Sequence, residues 1–150
     1  MSETWTVGHS TRSLDDFVSL LREHRIKAVA DVRRFPKSRH NPQFNQEALA
    51  VDLPARGVEY HHVPNLGGFR GDYLEHMKTA EFEEGLKELL WIALAKPTAV
   101  MCAEVVFFRC HRRFIAEALV KRGIKVWHIF APGVVKEHIP REERPLEEFA

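Results

Sequence analysis

The sequence predicts an α/β domain of three layers, α/β/α, around a mainly parallel sheet of about five strands. Three observations point there. Apolar runs of strand length alternate with segments of helical period along the chain. The second run has the interior Ala28-Val29-Ala30, apolar at every position, as in a strand covered on both faces. Residues of unusual chemistry follow the strand runs, at the edge where such sheets bind ligands.

The elements are read in order. Thr4 to Val7 is a short strand ending in Gly8-His9-Ser10-Thr11. Ser13-Leu-Asp-Asp16 has the form of a capping box, and Phe17, Leu20, Leu21 and His24 keep one face of the helix it opens. Ile26 to Val32 is the second strand. Residues 35–45, FPKSRHNPQFN, hold two prolines and no period, and form a long loop. Asn45 is placed to cap a helix running to about Ala55, with Gly57 past its end. Val58 to Val63 is the third strand, and the Gly-rich loop 64–71 follows.

Thr79 to Ala95 reads as a helix with Phe82, Leu86, Leu89, Leu90 and Ala93 on its inner stripe, and Pro97 forbids its continuation. Thr98 to Cys102 is the fourth strand. A helix opening at Arg109 or Cys110 turns Phe114, Ile115, Ala118 and Leu119 inward and stops at Gly123. Lys125 to Phe130 is the fifth strand. Residues 1–135 are expected to form one domain, and 136–150 a polar C-terminal extension packed on it or trailing from it. No repeat or low-complexity tract interrupts the chain.

Composition narrows the function classes. A net charge of +1 gives no general attraction to nucleic acid, yet Arg33, Arg34, Lys37 and Arg39 form a local cationic run. The longest apolar runs are far too short to span a bilayer, so no membrane association is expected. The N-terminus lacks a basic leader and an apolar signal core, so a cytoplasmic location with reduced thiols is expected for Cys102 and Cys110.

The stretches VGHSTRSLDDF (7–17), DVRRFPKSRHNPQFN (31–45), GVEYHHVPNLGG (57–68) and CAE with RCHRRFIAEAL (102–119) together resemble the domain of unknown function 488 family. The likeness covers roughly Thr6 to Ile129. It implies an α/β domain and no settled reaction. One departure stands out. Relatives carry a polar, turn-forming stretch where this chain has Val105-Val106-Phe107-Phe108, which suits pocket closure, an apolar ligand group or a partner contact.

The candidate chemistry lies along one sheet edge. Cys110, beside Arg109 and Arg112 in the expected first turn of a helix, is set up as a thiolate nucleophile or redox thiol. Its bland alternative is a small packed core residue. Cys102 reads as core. A helix start flanked by guanidinium groups is also a phosphate or sulfate cradle, with Arg109, Arg112 and Arg33 as cations and Gly8, Ser10 and Thr11 supplying close backbone and hydroxyl donors. Arg34 stands beside Arg33 as an alternative. His9 and Asp31 end strands that could be neighbours, so Asp31 either orients His9 as a general base or holds an arginine; the ion pair is the commoner arrangement. Glu104 is a second candidate base.

C-x7-C with scattered histidines matches no usual metal spacing, so neither metal nor cofactor is expected. The preferred function is binding, with turnover left open, of a phosphate- or sulfate-bearing small molecule or nucleotide. Two other readings stand beside it. Lys37 and Arg39 on phosphates with Phe35 or Phe44 stacking on a base would make a non-catalytic nucleic-acid contact. The apolar 105–108 stretch would instead serve a protein partner, a homodimer included.

Overall fold

The computed structural model describes residues 2–68, 72–105 and 111–140 of the chain. Its elements are β1 (Glu3–Gly8), α1 (Leu14–Glu23), β2 (Ala28–Asp31), α2 (Gln46–Ala55), β3 (Glu59–His62), α3 (Tyr73–His76), α4 (Ala80–Ala95), β4 (Thr98–Cys102), α5 (Arg112–Lys121), β5 (Lys125–Ala131) and β6 (Val134–Glu137). One six-stranded sheet runs in the order β3-β2-β4-β1-β5-β6. Its first five strands are mutually parallel, and β6 returns antiparallel along β5.

The expected three-layer α/β/α architecture is present. Alternate residues of the central strands feed two cores. Ala28, Ala30, Val100 and Val126 pack with Leu86 and Leu89 of α4 and Ile115 and Leu119 of α5. Val7, Val29, Ala99 and Met101 pack on the other side with Phe17 and Leu21 of α1 and Leu49 and Leu53 of α2. The change of face between α2 and α4 follows from the strand order. The chain steps outward from β1 to β2 and β3, then returns to β4 and β5. Crossovers of constant hand put the helices of the return journey on the opposite face.

Local chemistry explains the element ends. Ser13 Oγ accepts from Asp16 N at 3.1 Å, the cap expected of it. Thr79 does the same for α4 through Phe82 N. Asn45 does not cap α2 with its side chain. Its Oδ1 accepts from Ser38 N at 2.6 Å instead, tying the 35–45 loop to itself. That loop, without regular period, is held further by Asn41 N to Ser38 Oγ and Gln46 N to Pro36 O.

The sixth strand was not expected. It arises from the turn at Pro132-Gly133, where Gly133 takes φ 72°, and it draws residues 134–137 onto the sheet edge. The expected extension from residue 136 therefore begins inside a strand; residues 141–150 lie outside the described ones. The short helix α3 also escaped the sequence reading. Among the described residues no helix is long and apolar enough to cross a membrane.

Leu89 is fully buried between α4 and the sheet. Its replacement by Ala is expected to lower unfolding stability by about 2–5 kcal/mol, read as a lower denaturant midpoint at unchanged slope.

Candidate functional site

Asp31, at the carboxyl end of β2, is completely buried, and the residues around it neutralise it fully. Its Oδ1 accepts from Arg33 N at 3.1 Å and Arg33 Nε at 2.9 Å; Oδ2 accepts from Arg33 Nη2 at 2.7 Å and Tyr60 Oη at 2.6 Å. Burial first, and the Asp31 charge next, push the Tyr60 phenol up from its ordinary value, so it stays a donor. Arg33 Nη2 also donates to the Phe44 carbonyl at 2.7 Å. The Arg33 carbonyl lies 2.7 Å from His62 Nε2.

The strands bearing His9 and Asp31 are not neighbours, because β4 lies between β1 and β2. Direct orientation of His9 by Asp31 is therefore replaced by a bridge. Arg33 Nη1 lies 3.3 Å from His9 Nε2, while His9 Nδ1 lies 2.8 Å from the Ser10 carbonyl. A neutral ring with its proton on Nδ1 satisfies both contacts. Burial lowers the His9 pKa and Arg33 lowers it further, against the opposing pull of the Ser10 carbonyl and Asp31. Phe44 stacks on the His9 ring at 4.4 Å between centroids.

The wall opposite is the strand-end segment 103–105. His9 N donates to Cys102 O at 2.8 Å and Ser10 N to Ala103 O at 3.0 Å, continuing the β1–β4 pairing past the sheet. Ser10 takes φ 51°, a left-handed conformation that costs a non-glycine residue about 1–3 kcal/mol and gathers at functional sites. Gly8 is needed for a different approach from the one expected. A Cβ there would overlap the Glu104 carbonyl outright, so the glycine admits the protein's own backbone. Arg112 is fully buried behind this wall and donates from Nη2 to the Glu104 and Val105 carbonyls.

These elements border an open cavity of about 670 Å³ beyond the carboxyl ends of β1, β2 and β4. His9, Ser10 and Thr11 line it from β1, Arg33, Arg34, Phe35, Lys37, Ser38 and Asn41 from the loop after β2, and Cys102 to Val105 from β4. Gly68 and His111 complete it. Arg34 Nε donates to Gly68 O at 3.0 Å, which seats that guanidinium on the rim. Phe35 is 81 % exposed there. His111 is enclosed, its Nε2 buried without a hydrogen bond. Burial above all drives its pKa down to about 4, with Arg112 and His76 adding to the effect and the Val32 carbonyl opposing it.

Several sequence expectations are relocated. Of the proposed anion ligands, Ser10, Thr11 and Arg33 line the cavity, whereas Gly8 and Arg112 sit behind its wall. Arg33 is already bound bidentately by Asp31. Glu104 is exposed on the wall, and the Cys102 thiol is buried with its sulfur 3.7 Å from the Glu104 carbonyl oxygen. Arg109 and Cys110 lie outside the described residues, as do 106–108 of the apolar stretch. Lys37 lines the cavity, and Arg39 is exposed. Phe44 is fully buried against His9 and Phe17, so it cannot stack on a base. Ser38 and Asn41 were missed, for no period marks which loop residues turn inward. Among the described residues no cluster of three or more His, Cys, Asp or Glu side chains is arranged to hold a metal ion.

The depressed histidines fix a pH dependence. The unfolded chain protonates a histidine near its ordinary value of 6.5 while folded His111 stays neutral down to about 4. Across that window the unfolded state binds more protons, so stability falls as pH falls and levels off below the folded pKa. Replacing His111 by Gln is expected to remove up to about 1.4 kcal/mol per pH unit from that slope, measured by urea unfolding between pH 7 and 4.

No curated protein and no solved structure matches the chain. A family model described as "Domain of unknown function DUF488" matches residues 13–119, more than half of the sequence. That span runs from the α1 cap through the Asp31–Arg33 cluster and the cavity wall into α5, and by it the chain belongs to the DUF488 family.

Proposed function

We propose that this domain binds a phosphate- or sulfate-bearing small molecule in the cavity at the carboxyl edge of the sheet. The reading is carried by one observation: Arg34, Lys37 and the hydroxyls of Ser10, Thr11 and Ser38 share a single hollow. Hydroxyl and cationic donors that line one open hollow suit an anion with several acceptor oxygens. Arg33 contributes as a fixed support, since Asp31 neutralises its charge. The neutral imidazoles of His9 and His111 add polar surface without adding charge. Asp31 has no acceptor position to spare for a proton in transit, and both His9 nitrogens are engaged, so binding is favoured over a base role for either. A covalent step is left to Cys110, with Glu104 as the accessible carboxylate.

Phe35 refines the ligand. An exposed aromatic ring beside two cations at the rim suits an anion that carries a flat ring, and a nucleotide has both parts. The same residue, with Lys37 and Arg39, sustains the second reading of a single-stranded nucleic acid laid over loop 33–45.

Phosphate, sulfate and nucleoside monophosphates are expected to raise Tm. At a concentration ten times Kd the stabilisation is about 1.4 kcal/mol, or roughly 3–6 °C. Lys37→Gln is expected to weaken all three about tenfold, the worth of one charge-assisted hydrogen bond. Phe35→Ala should weaken only the nucleotides. No shift with any anion, together with salt-dependent oligonucleotide binding, would overturn the small-molecule reading in favour of the second. The thiol has its own assay. With Cys102 buried, iodoacetamide on the native protein is expected to label Cys110 with a rate midpoint below that of an ordinary thiol; a midpoint matching free cysteine removes the nucleophile.

A further inference from the structure

Behind the cavity wall five polar side chains from four parts of the chain form an unbroken line. Arg112 Nη1 donates to Thr6 Oγ1 at 3.2 Å, and Thr6 Oγ1 lies 2.6 Å from His128 Nδ1. His128 Nε2 lies 2.9 Å from His138 Nδ1, and His138 Nε2 lies 2.9 Å from Glu117 Oε1. Arg112, Thr6, His128 and His138 are all buried, and Glu117 is the member that reaches solvent, its side chain 17 % exposed. The inner end of the line is the same Arg112 whose Nη2 holds the Glu104 and Val105 carbonyls in the wall.

The direction of every bond is forced by the two ends. An arginine only donates, and an ionised carboxylate only accepts. His138 therefore carries its proton on Nε2, towards Glu117. If both rings are neutral, His138 Nδ1 accepts from His128 Nε2, and His128 Nδ1 accepts from the Thr6 hydroxyl. Donation runs one way, from Arg112 to Glu117.

One added proton has one destination. If Glu117 stays ionised, His138 Nε2 keeps its hydrogen and the bond between the rings holds a single hydrogen, so the extra one sits on His128 Nδ1. If the proton goes to Glu117 instead, that group becomes the donor, both rings change tautomer, and His128 Nδ1 again gains the hydrogen. Either way His128 now donates to Thr6. The hydroxyl, which also accepts from Arg112, must turn its own hydrogen out of the line. In the first case an imidazolium charge comes to face the guanidinium across one oxygen atom.

We infer that Thr6, His128, His138 and Glu117 form a proton-responsive positioning chain that adjusts the Arg112 clamp on the cavity wall. Among the described residues, Lys136 opposite His128 on β6 and Arg113 and Lys121 one turn either side of Glu117 on α5 are exposed, while the half-buried Arg12 and His111 lie within electrostatic reach of Arg112. Acidification loosens the hold on Glu104 and Val105, and with it the packing of that wall over Gly8. The inference does not rest on the anion reading, and its test needs no ligand.

Imidazole nitrogen resonances of the 15N-labelled full-length protein decide it. At pH 7.5 His128 and His138 are both expected as Nε2–H tautomers. On acidification the His128 Nδ1 proton and the Glu104 and Val105 amides should titrate with one midpoint. His9 and His111 also face this wall, so the deciding comparison is Thr6→Val, which cuts the chain between His128 and Arg112. That variant should keep the titrations of His9 and His111 and move the His128 midpoint to lower pH, since Nδ1 loses its acceptor, while the wall amides lose the component that follows His128. An Nδ1–H tautomer of His128 at pH 7.5 overturns the inference in the wild-type protein alone, whether or not the variant folds. Wall amides that ignore His128, or follow it equally in Thr6→Val, overturn it as well.

Discussion

The carboxyl edge of this sheet is organised by one buried ion pair, Arg33 with Asp31. Asp31 receives four hydrogen bonds, and Arg33 reaches from β2 past the end of β4 to His9 at the end of β1. The same guanidinium fixes the Phe44 carbonyl, which seats the 35–45 loop. Such a pair adds little net stability over an apolar replacement, but removing one partner strands the other at a cost of about 3–5 kcal/mol. Its contribution is geometric. It sets where the loop after β2 meets the loop after β1, and the cavity is the space between them.

Arg112 makes the second knot. It is as deeply buried as any large side chain among the described residues, and it donates to the Thr6 hydroxyl and to the backbone carbonyls of the wall. Two arginines that resemble ligands in the sequence thus turn out to be architecture. The cations left facing the cavity, Arg34 and Lys37, belong to the loop that the first knot positions.

How much was legible follows from the kind of information each feature needs. Strands β2 and β4 were readable because burial on two faces demands continuous apolar runs, and α4 because its stripe repeats at helical spacing. The convergence of Gly8–Thr11, Asp31–Lys37 and Cys102–Val105 was readable from the rule that parallel strands open their ligand edge on one side. Adjacency was not. Nothing in the residues near His9 or Asp31 announces that β4 will insert between their strands; of the two arrangements the sequence allows for Asp31, the commoner ion pair with an arginine is the one present, and Arg33 spans the gap to His9. Phe35 and Phe44 were equal candidates for stacking for a similar reason: a loop without period gives no sign of which ring turns inward, and it is Phe44 that does. The chain through His128 and His138 was invisible because half of it depends on β6, whose Pro132-Gly133 turn went unread.

The cavity rim and the two cores share almost no side chains. Thr11, Lys37, Ser38 and Asn41 border the hollow without entering either apolar cluster, while Gly8, Asp31 and Arg112 fix the frame from behind. The side chains that border the hollow and those that hold the fold together are therefore nearly separate sets, and a descendant could exchange the first while the scaffold beneath registers almost no change.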